Sequence, residues 1–258
     1  MAPSLAARFR DGESLISSWI GMPEPLVAEM AARSGFDCVT LDMQHGLWGP
    51  EGVMRGIGAV ALAGRPALVR IPVGDFAMAS RALDMGAEAI IAPMVNSVAD
   101  AKAFVAAVKF PPVGERSWGP NRTLALFGET DGNAYLKRAN TETLAFAMIE
   151  TRAALDALDT ILAVDGIDAV FVGPSDLSIT LSGGAALDQR SAAAEEAVRE
   201  ILAKAHGAGK RAGIFAITAA QAIDYRALGY DLVALGTDSI YLRLGAAALL
   251  AEVHGKGK

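Results

Sequence analysis

The sequence predicts an α/β protein, a single (β/α)8 TIM barrel spanning residues 1–258. Eight short apolar runs alternate with Ala-rich helical patterns. The runs are apolar throughout, as parallel strands covered on both faces must be. The length of 258 residues suits eight strand–helix units. An open doubly wound sheet shares the alternation, but it normally carries a glycine-rich turn after its first strand. Here that turn reads Gly21-Met22-Pro23-Glu24-Pro25.

In chain order, the first strand is Leu15–Ile20, stopped by Gly21, with a helix over Pro25–Ser34. Cys38–Asp42 follows, then Pro66–Arg70 with a helix over Ser80–Met85. Ala89–Pro93 leads to a helix over Val98–Lys109, and Leu144–Ile149 to one over Thr151–Val164. Ala169–Gly173 runs into a turn that opens the next helix, ahead of a long helix over Ala192–Ala208. Arg211–Phe215, a helix over Ala219–Leu228 and Asp231–Leu235 complete the set. The stretch from Pro111 to Thr143 contains no strand pattern. A connection this long is either a lid or contact element, or a surface excursion with its own short helix.

Composition narrows the function classes. Apolar residues make up 52% and charged residues 20%, too apolar for a disordered chain. With 23 basic and 29 acidic residues the formal charge is −6, and no basic block exists to suit nucleic acid. One cysteine, Cys38, excludes a disulfide framework and a multi-cysteine zinc site. The opening residues lack a secretory apolar core, and no stretch reaches the ~18 apolar residues of a membrane span. A cytoplasmic protein is expected. The glycine-rich Gly207–Gly213 follows a helix and precedes a strand, the reverse of a nucleotide cradle, so no nucleotide is expected. No lysine ends a strand, which disfavours a Schiff base and PLP.

In a barrel, function collects where the strands end. Here those ends carry Trp19, Asp42 with His45, Arg70, Pro93, Glu150, the turn Gly173-Pro174-Ser175-Asp176, Phe215, and Gly236-Thr237-Asp238. Ionisable groups at the ends of buried strands are costly unless paired or coordinated. Glu150 and Asp176 stand on adjacent strands, and a hard divalent ion such as Mg²⁺ or Mn²⁺, with Co²⁺ tolerated, would relieve their repulsion. The alternative is a helix cap and a turn. Asp42 precedes His45 by three residues, so its carboxylate can orient the imidazole for proton transfer, or simply close a turn. Arg70 requires an anion, either a structural acid or a substrate carboxylate or enolate. The amides of the Gly173 turn can hold a carboxylate, or merely start a helix.

These segments resemble the metal-dependent class II pyruvate aldolases of the aldolase and citrate-lyase-beta group, typified by 4-hydroxy-2-oxoheptanedioate and 2-dehydro-3-deoxyglucarate aldolases, a resemblance that implies a TIM barrel of the phosphoenolpyruvate/pyruvate type. The motifs carrying the resemblance are Phe36–His45, Leu83–Ala87, Ile91–Val95, Pro111–Arg116, Met148–Thr151 and Gly166–Leu177. The resemblance implies reversible aldol cleavage of a 4-hydroxy-2-oxo acid to pyruvate or hydroxypyruvate and an aldehyde, through a metal-stabilised enolate. It implies that Glu150 and Asp176 bind the metal, that His45 assisted by Asp42 moves the proton, and that Arg70 steadies the pyruvate oxygens. Trp19 and Phe215 match positions around the substrate. It also implies a homohexamer whose C-terminal helix is exchanged between subunits. Gln44 and Met148 depart from the pattern of many relatives and Ser117–Arg122 from the diacid aldolases, which leaves open the aldehyde and the choice between pyruvate and hydroxypyruvate. Two other readings stay open: a lyase acting on an acyl-CoA, and a non-catalytic barrel that binds oxo acids.

Overall fold

The computed structural model describes residues 4–255 and closes eight parallel strands into a barrel, with the last strand pairing back onto the first. The strands are β1 (Leu15–Ile20), β2 (Cys38–Asp42), β3 (Ala67–Arg70), β4 (Ala89–Ala92), β5 (Leu144–Ile149), β6 (Ala169–Val172), β7 (Arg211–Ala216) and β8 (Leu232–Leu235). Each agrees to within one residue at either end with the run expected from sequence. Closure removes the open-sheet alternative.

A period of two decides which side chains enter the barrel. Cys38 on β2, Leu68 on β3, Ala89 and Ile91 on β4 and Phe146 and Met148 on β5 fill the interior. Val39, Val69, Ile90 and Ala147, one residue out of phase, pack outward under the helices. Continuing the inward phase to the carboxyl ends delivers Trp19, Asp42, Arg70, Glu150, Gly173 and Phe215. The strands therefore place the polar residues by the same alternation that fills the core. Gly213 belongs to this interior layer, because a Cβ there would lie 2.6 Å from the ring of Phe171.

Thirteen helices are present among the described residues, numbered in chain order. They begin with α1 (Leu5–Arg10), α2 (Pro25–Arg33), α3 (Pro50–Leu62), α4 (Phe76–Met85), α5 (Val98–Val108), α6 (Asn121–Leu126) and α7 (Gly132–Glu142). The chain continues with α8 (Arg152–Asp156), α9 (Leu158–Leu162), α10 (Pro174–Leu181), α11 (Ala192–Gly207), α12 (Ala219–Leu228) and α13 (Asp238–Gly255). Side chains of Ser97, Thr151, Ser191 and Thr218 cap α5, α8, α11 and α12, each cap worth about 1 kcal/mol.

Three features depart from the sequence expectation. The single helix expected over Thr151–Val164 is two helices hinged at Ala157, a break that lets Leu158, Ile161 and Leu162 all bury. The opening residues form α1, which buries Leu5 and Phe9 and joins the interior cluster of the barrel. The segment from Pro111 to Thr143 is a packed excursion rather than a lid over this chain's own mouth. It carries α6 and α7, and its Arg116 is fully buried against Asp84 at 2.6 Å with its guanidinium over the Phe110 ring.

Candidate active site

Glu150, one residue beyond β5, is 2% exposed. One carboxylate oxygen, Oε1, accepts the Met94 amide at 2.9 Å. Met94 adopts a left-handed backbone (φ 54°), which side-chain-bearing residues seldom do, and that conformation accompanies the bond from its N–H to the buried carboxylate. The other oxygen lies so close to Gly173 that a Cβ there would sit 2.4 Å from Oε2. Glycine at 173 is thus a requirement of the carboxylate. Burial pushes the Glu150 carboxyl up to about 7; the negative charge of Asp176 adds to this, while the Met94 amide and Arg70 oppose it.

Asp176 lies in the first turn of α10, on the wall shared with Glu150. Among the described residues neither carboxylate is paired to a lysine or arginine in a salt bridge. Two acidic groups at one cavity, one of them deeply buried and neither neutralised, fit a hard divalent cation. Among the described residues no group of three or more His, Cys, Asp or Glu is placed so as to hold a metal ion. The protein offers two carboxylates and leaves the remaining positions to water and substrate, which suits Mg²⁺ or Mn²⁺ better than a closed zinc site.

Arg70 ends β3 and finds its anion within the protein. Its Nε donates to Asp42 Oδ1 at 2.8 Å and its Nη2 to Oδ2 at 2.6 Å, a two-pronged pair that is nearly buried on both sides. Trp19 Nε1 also donates to Asp42 Oδ2, at 3.1 Å, and the Arg70 guanidinium lies 4.8 Å from the centre of the Trp19 ring. Phe215 meets Trp19 edge-on at 5.4 Å. The arginine therefore rests on the Trp19 ring, and Phe215 packs against that ring from the side.

This arrangement corrects the expected link between Asp42 and His45. Asp42 Oδ1 accepts the backbone amides of Gln44 (3.0 Å) and His45 (3.4 Å), closing the turn, and among the described residues no hydrogen bond joins its carboxylate to the imidazole. The reason is competition: a guanidinium with a paired, fixed fork occupies both oxygens from the neighbouring strand. Burial alone would raise the Asp42 carboxyl, but the hydrogen bonds and charge of Arg70 outweigh it and hold the group below its ordinary value, so Asp42 stays ionised. His45 is exposed at the rim.

One cavity of about 440 Å³ at the carboxyl ends of the strands brings together Trp19, Asp42, His45, Arg70, Glu150, Gly173, Pro174, Ser175, Asp176 and Phe215. Sequence reasoning assigned no role to two contributors. Met94 acts through its backbone amide, which no residue type announces. Asp238, at the start of α13, accepts the amides of Gly21 (3.0 Å) and Met22 (2.7 Å) and ties the loop after β1 to the end of β8. An acid at the end of the last strand is a visible signal, but its partners are backbone amides that sequence does not point to.

The model of the HpcH/HpaI aldolase/citrate lyase family matches residues 16–243. A hydroxypyruvate/pyruvate aldolase of Rhizorhabdus wittichii is 37% identical over 246 residues, covering 95% of this chain and 96% of that protein. A 2-keto-3-deoxy-L-rhamnonate aldolase of Klebsiella pneumoniae subsp. pneumoniae is 33% identical over 230 residues, 89% of this chain and 85% of that protein. Among solved structures, an HpcH/HpaI aldolase/citrate lyase family protein from Burkholderia cenocepacia J2315 superposes with a TM-score of 0.86 at 30% identity, covering 97% of this chain and 98% of that one. With every residue of the cavity inside the matched span, the chain belongs to the HpcH/HpaI aldolase/citrate lyase family.

Proposed function

We propose that the chain is a carbon–carbon lyase, a divalent-metal-dependent aldolase that reversibly cleaves a 4-hydroxy-2-oxo acid to an aldehyde and pyruvate or hydroxypyruvate. The observation that carries this reading is the pair of unneutralised carboxylates, Glu150 and Asp176, sharing one cavity with Arg70 and His45. The name of the Rhizorhabdus relative supports pyruvate or hydroxypyruvate as the nucleophile. A divalent ion held by Glu150 and Asp176 (Mg²⁺ or Mn²⁺, with Co²⁺ tolerated) supplies the Lewis acidity that makes a 2-oxo acid's C3 proton removable near neutral pH.

The remaining steps belong to the chain's own residues. Asp42 fixes two nitrogens of Arg70, leaving Nη1 without a partner among the described residues. That donor is already aimed when charge develops on the substrate oxygens, so no reorganisation is needed. His45, at the rim and released from Asp42, takes the C3 proton and returns it in the reverse direction. Trp19 and Phe215 line the cavity with apolar surface. The test is deuterium exchange at the pyruvate methyl in D₂O. Exchange abolished by EDTA and restored by Mg²⁺ or Mn²⁺ is expected; exchange that persists in chelator would overturn the reading. Binding of pyruvate without exchange would indicate a non-catalytic barrel, and turnover of CoA thioesters an acyl-CoA lyase.

We further propose a homo-oligomer, a hexamer by resemblance, working in the cytoplasm, in which α13 packs on a second copy. Leu242, Leu244, Leu249, Leu250 and Val253 are between 56% and 71% exposed in one chain. An 18-residue helix with so much apolar surface in water is a strong stimulus to association. Sedimentation of the chain cut before Leu242 should show a smaller assembly. Among the described residues no helix is long and apolar enough to cross a membrane.

A further inference from the structure

We propose that Gln189 and Gln221 are positioning residues that fix Ser175 as a hydrogen-bond donor to the carboxylate of the bound 2-oxo acid. The proposal rests on reading the cavity as a 2-oxo acid site. It concerns side chains outside that cavity, joined to it by two hydrogen bonds in series whose direction has only one solution.

The chain starts at the first turn of α12. Gln221 Oε1 accepts the backbone amides of Ile217 (2.9 Å) and Thr218 (3.2 Å), while the Thr218 hydroxyl accepts the Gln221 amide in a reciprocal cap. Backbone N–H groups only donate, so the Gln221 side chain must turn its oxygen toward them. Its nitrogen therefore faces outward and donates to Gln189 Oε1 at 3.0 Å. With its oxygen so occupied, Gln189 has its own nitrogen pointing at Ser175 Oγ, 2.6 Å away. Ser175 Oγ must then accept, and its hydroxyl proton is left to be given elsewhere. Among the described residues no acceptor takes it, and Ser175 lines the cavity.

Burial agrees with this. In the segment 182–190 every residue is exposed except Gln189, which is half-buried. The loop commits its one sheltered side chain to this contact. Donation into Oγ also polarises the serine O–H and strengthens it as a donor. The matching group on a 2-oxo acid is its carboxylate, which carries lone pairs only and takes a charge-assisted bond more strongly than any neutral acceptor.

The experiment is a double-mutant cycle read as pyruvate affinity by calorimetry, with Mg²⁺ in the buffer. Gln221→Glu is the decisive variant. A glutamate keeps the cap on α12, but it presents a second acceptor to Gln189, forces that amide to flip, and so turns Ser175 around to donate into Gln189. Gln189→Leu removes the link altogether, and Ser175→Ala removes the donor. Ser175→Ala should weaken pyruvate roughly 10-fold, the scale of one hydrogen bond to a charged group. Gln221→Glu should weaken it several-fold, with an unchanged melting temperature. In the Ser175→Ala background neither glutamine variant should weaken it further. Equal effects in both backgrounds, or wild-type affinity in Gln221→Glu, would overturn the proposal. Wild-type protein that binds pyruvate without exchanging its methyl protons would refute the aldolase reading and leave this one standing; wild-type protein that does not bind pyruvate refutes both.

Discussion

Replacing Asp42 with asparagine tests whether its carboxylate is an anchor for Arg70 or a partner for His45. In the structure Asp42 faces donors on every side: Arg70 Nε and Nη2, Trp19 Nε1, and the amides of Gln44 and His45. An amide is the same size but carries one acceptor oxygen, and its NH₂ would be pressed against at least one of these N–H groups. The Arg70 guanidinium would also be left buried without a counter-charge. Breaking one side of a buried pair costs about 3–5 kcal/mol. For a domain of this size that corresponds to a melting temperature lower by roughly 6–20 °C. With Arg70 no longer held, the KM for pyruvate in the methyl-exchange assay should rise about 10-fold or more. The pH dependence of kcat should keep its shape, since Asp42 does not touch the imidazole. The assays are thermal unfolding followed by circular dichroism and exchange followed by NMR from mildly acidic to mildly alkaline pH. An Asp42→Asn variant with wild-type melting and KM but a displaced pH profile would return the carboxylate to His45 and refute the anchoring role.

His45→Ala should lower the exchange kcat by ~10²–10⁴, the worth of a positioned acid/base, and near-normal turnover would remove the imidazole from the chemistry. Gly173→Ala places a Cβ 2.4 Å from Glu150 Oε2 and should displace that carboxylate, weakening Mn²⁺ binding measured by paramagnetic relaxation and costing about 1–3 kcal/mol of stability; unchanged Mn²⁺ affinity would show that the close approach is unimportant. Glu88 at the foot of the barrel accepts the Leu5 amide at 2.7 Å, and burial, with a contribution from Glu142, pushes its carboxyl to about 7 from an ordinary 4.5. The folded chain thus keeps a proton that the unfolded chain has lost between those values, so this group's contribution is full below about 4.5 and falls away as pH rises through 7. Glu88→Gln, which retains an acceptor for Leu5, should be more stable than wild type by up to about 3 kcal/mol at a pH roughly one unit above that value, and gain little near the ordinary carboxyl value. Parallel stability curves for the two proteins across this range would contradict the assignment.

The eight strands were legible because each is a short apolar run between polar or glycine breaks, and helices buried on one face leave their own repeat. The helix break at Ala157 was not, since no glycine, proline or side-chain cap marks the junction. Nor was α1, whose six residues are too few to show a period. For the site, sequence order and strand parity were enough to bring Trp19, Asp42, Arg70, Glu150, Gly173 and Phe215 to one mouth. Parity says which side a residue faces, and all six fall on the inward side.

What sequence could not determine is how the polar groups divide their hydrogen bonds once they meet. Asp42 lies three residues from His45 along the chain, yet Arg70, from the next strand, takes both carboxylate oxygens. Met94 offers an amide, Asp238 joins the first strand's loop to the last, and Gln221 sets the direction of a serine proton through Gln189. Each outcome depends on distances across separate βα units and on which donor reaches an oxygen first in space. Local sequence fixes the identity and facing of a side chain, while its partner is chosen only when the barrel closes.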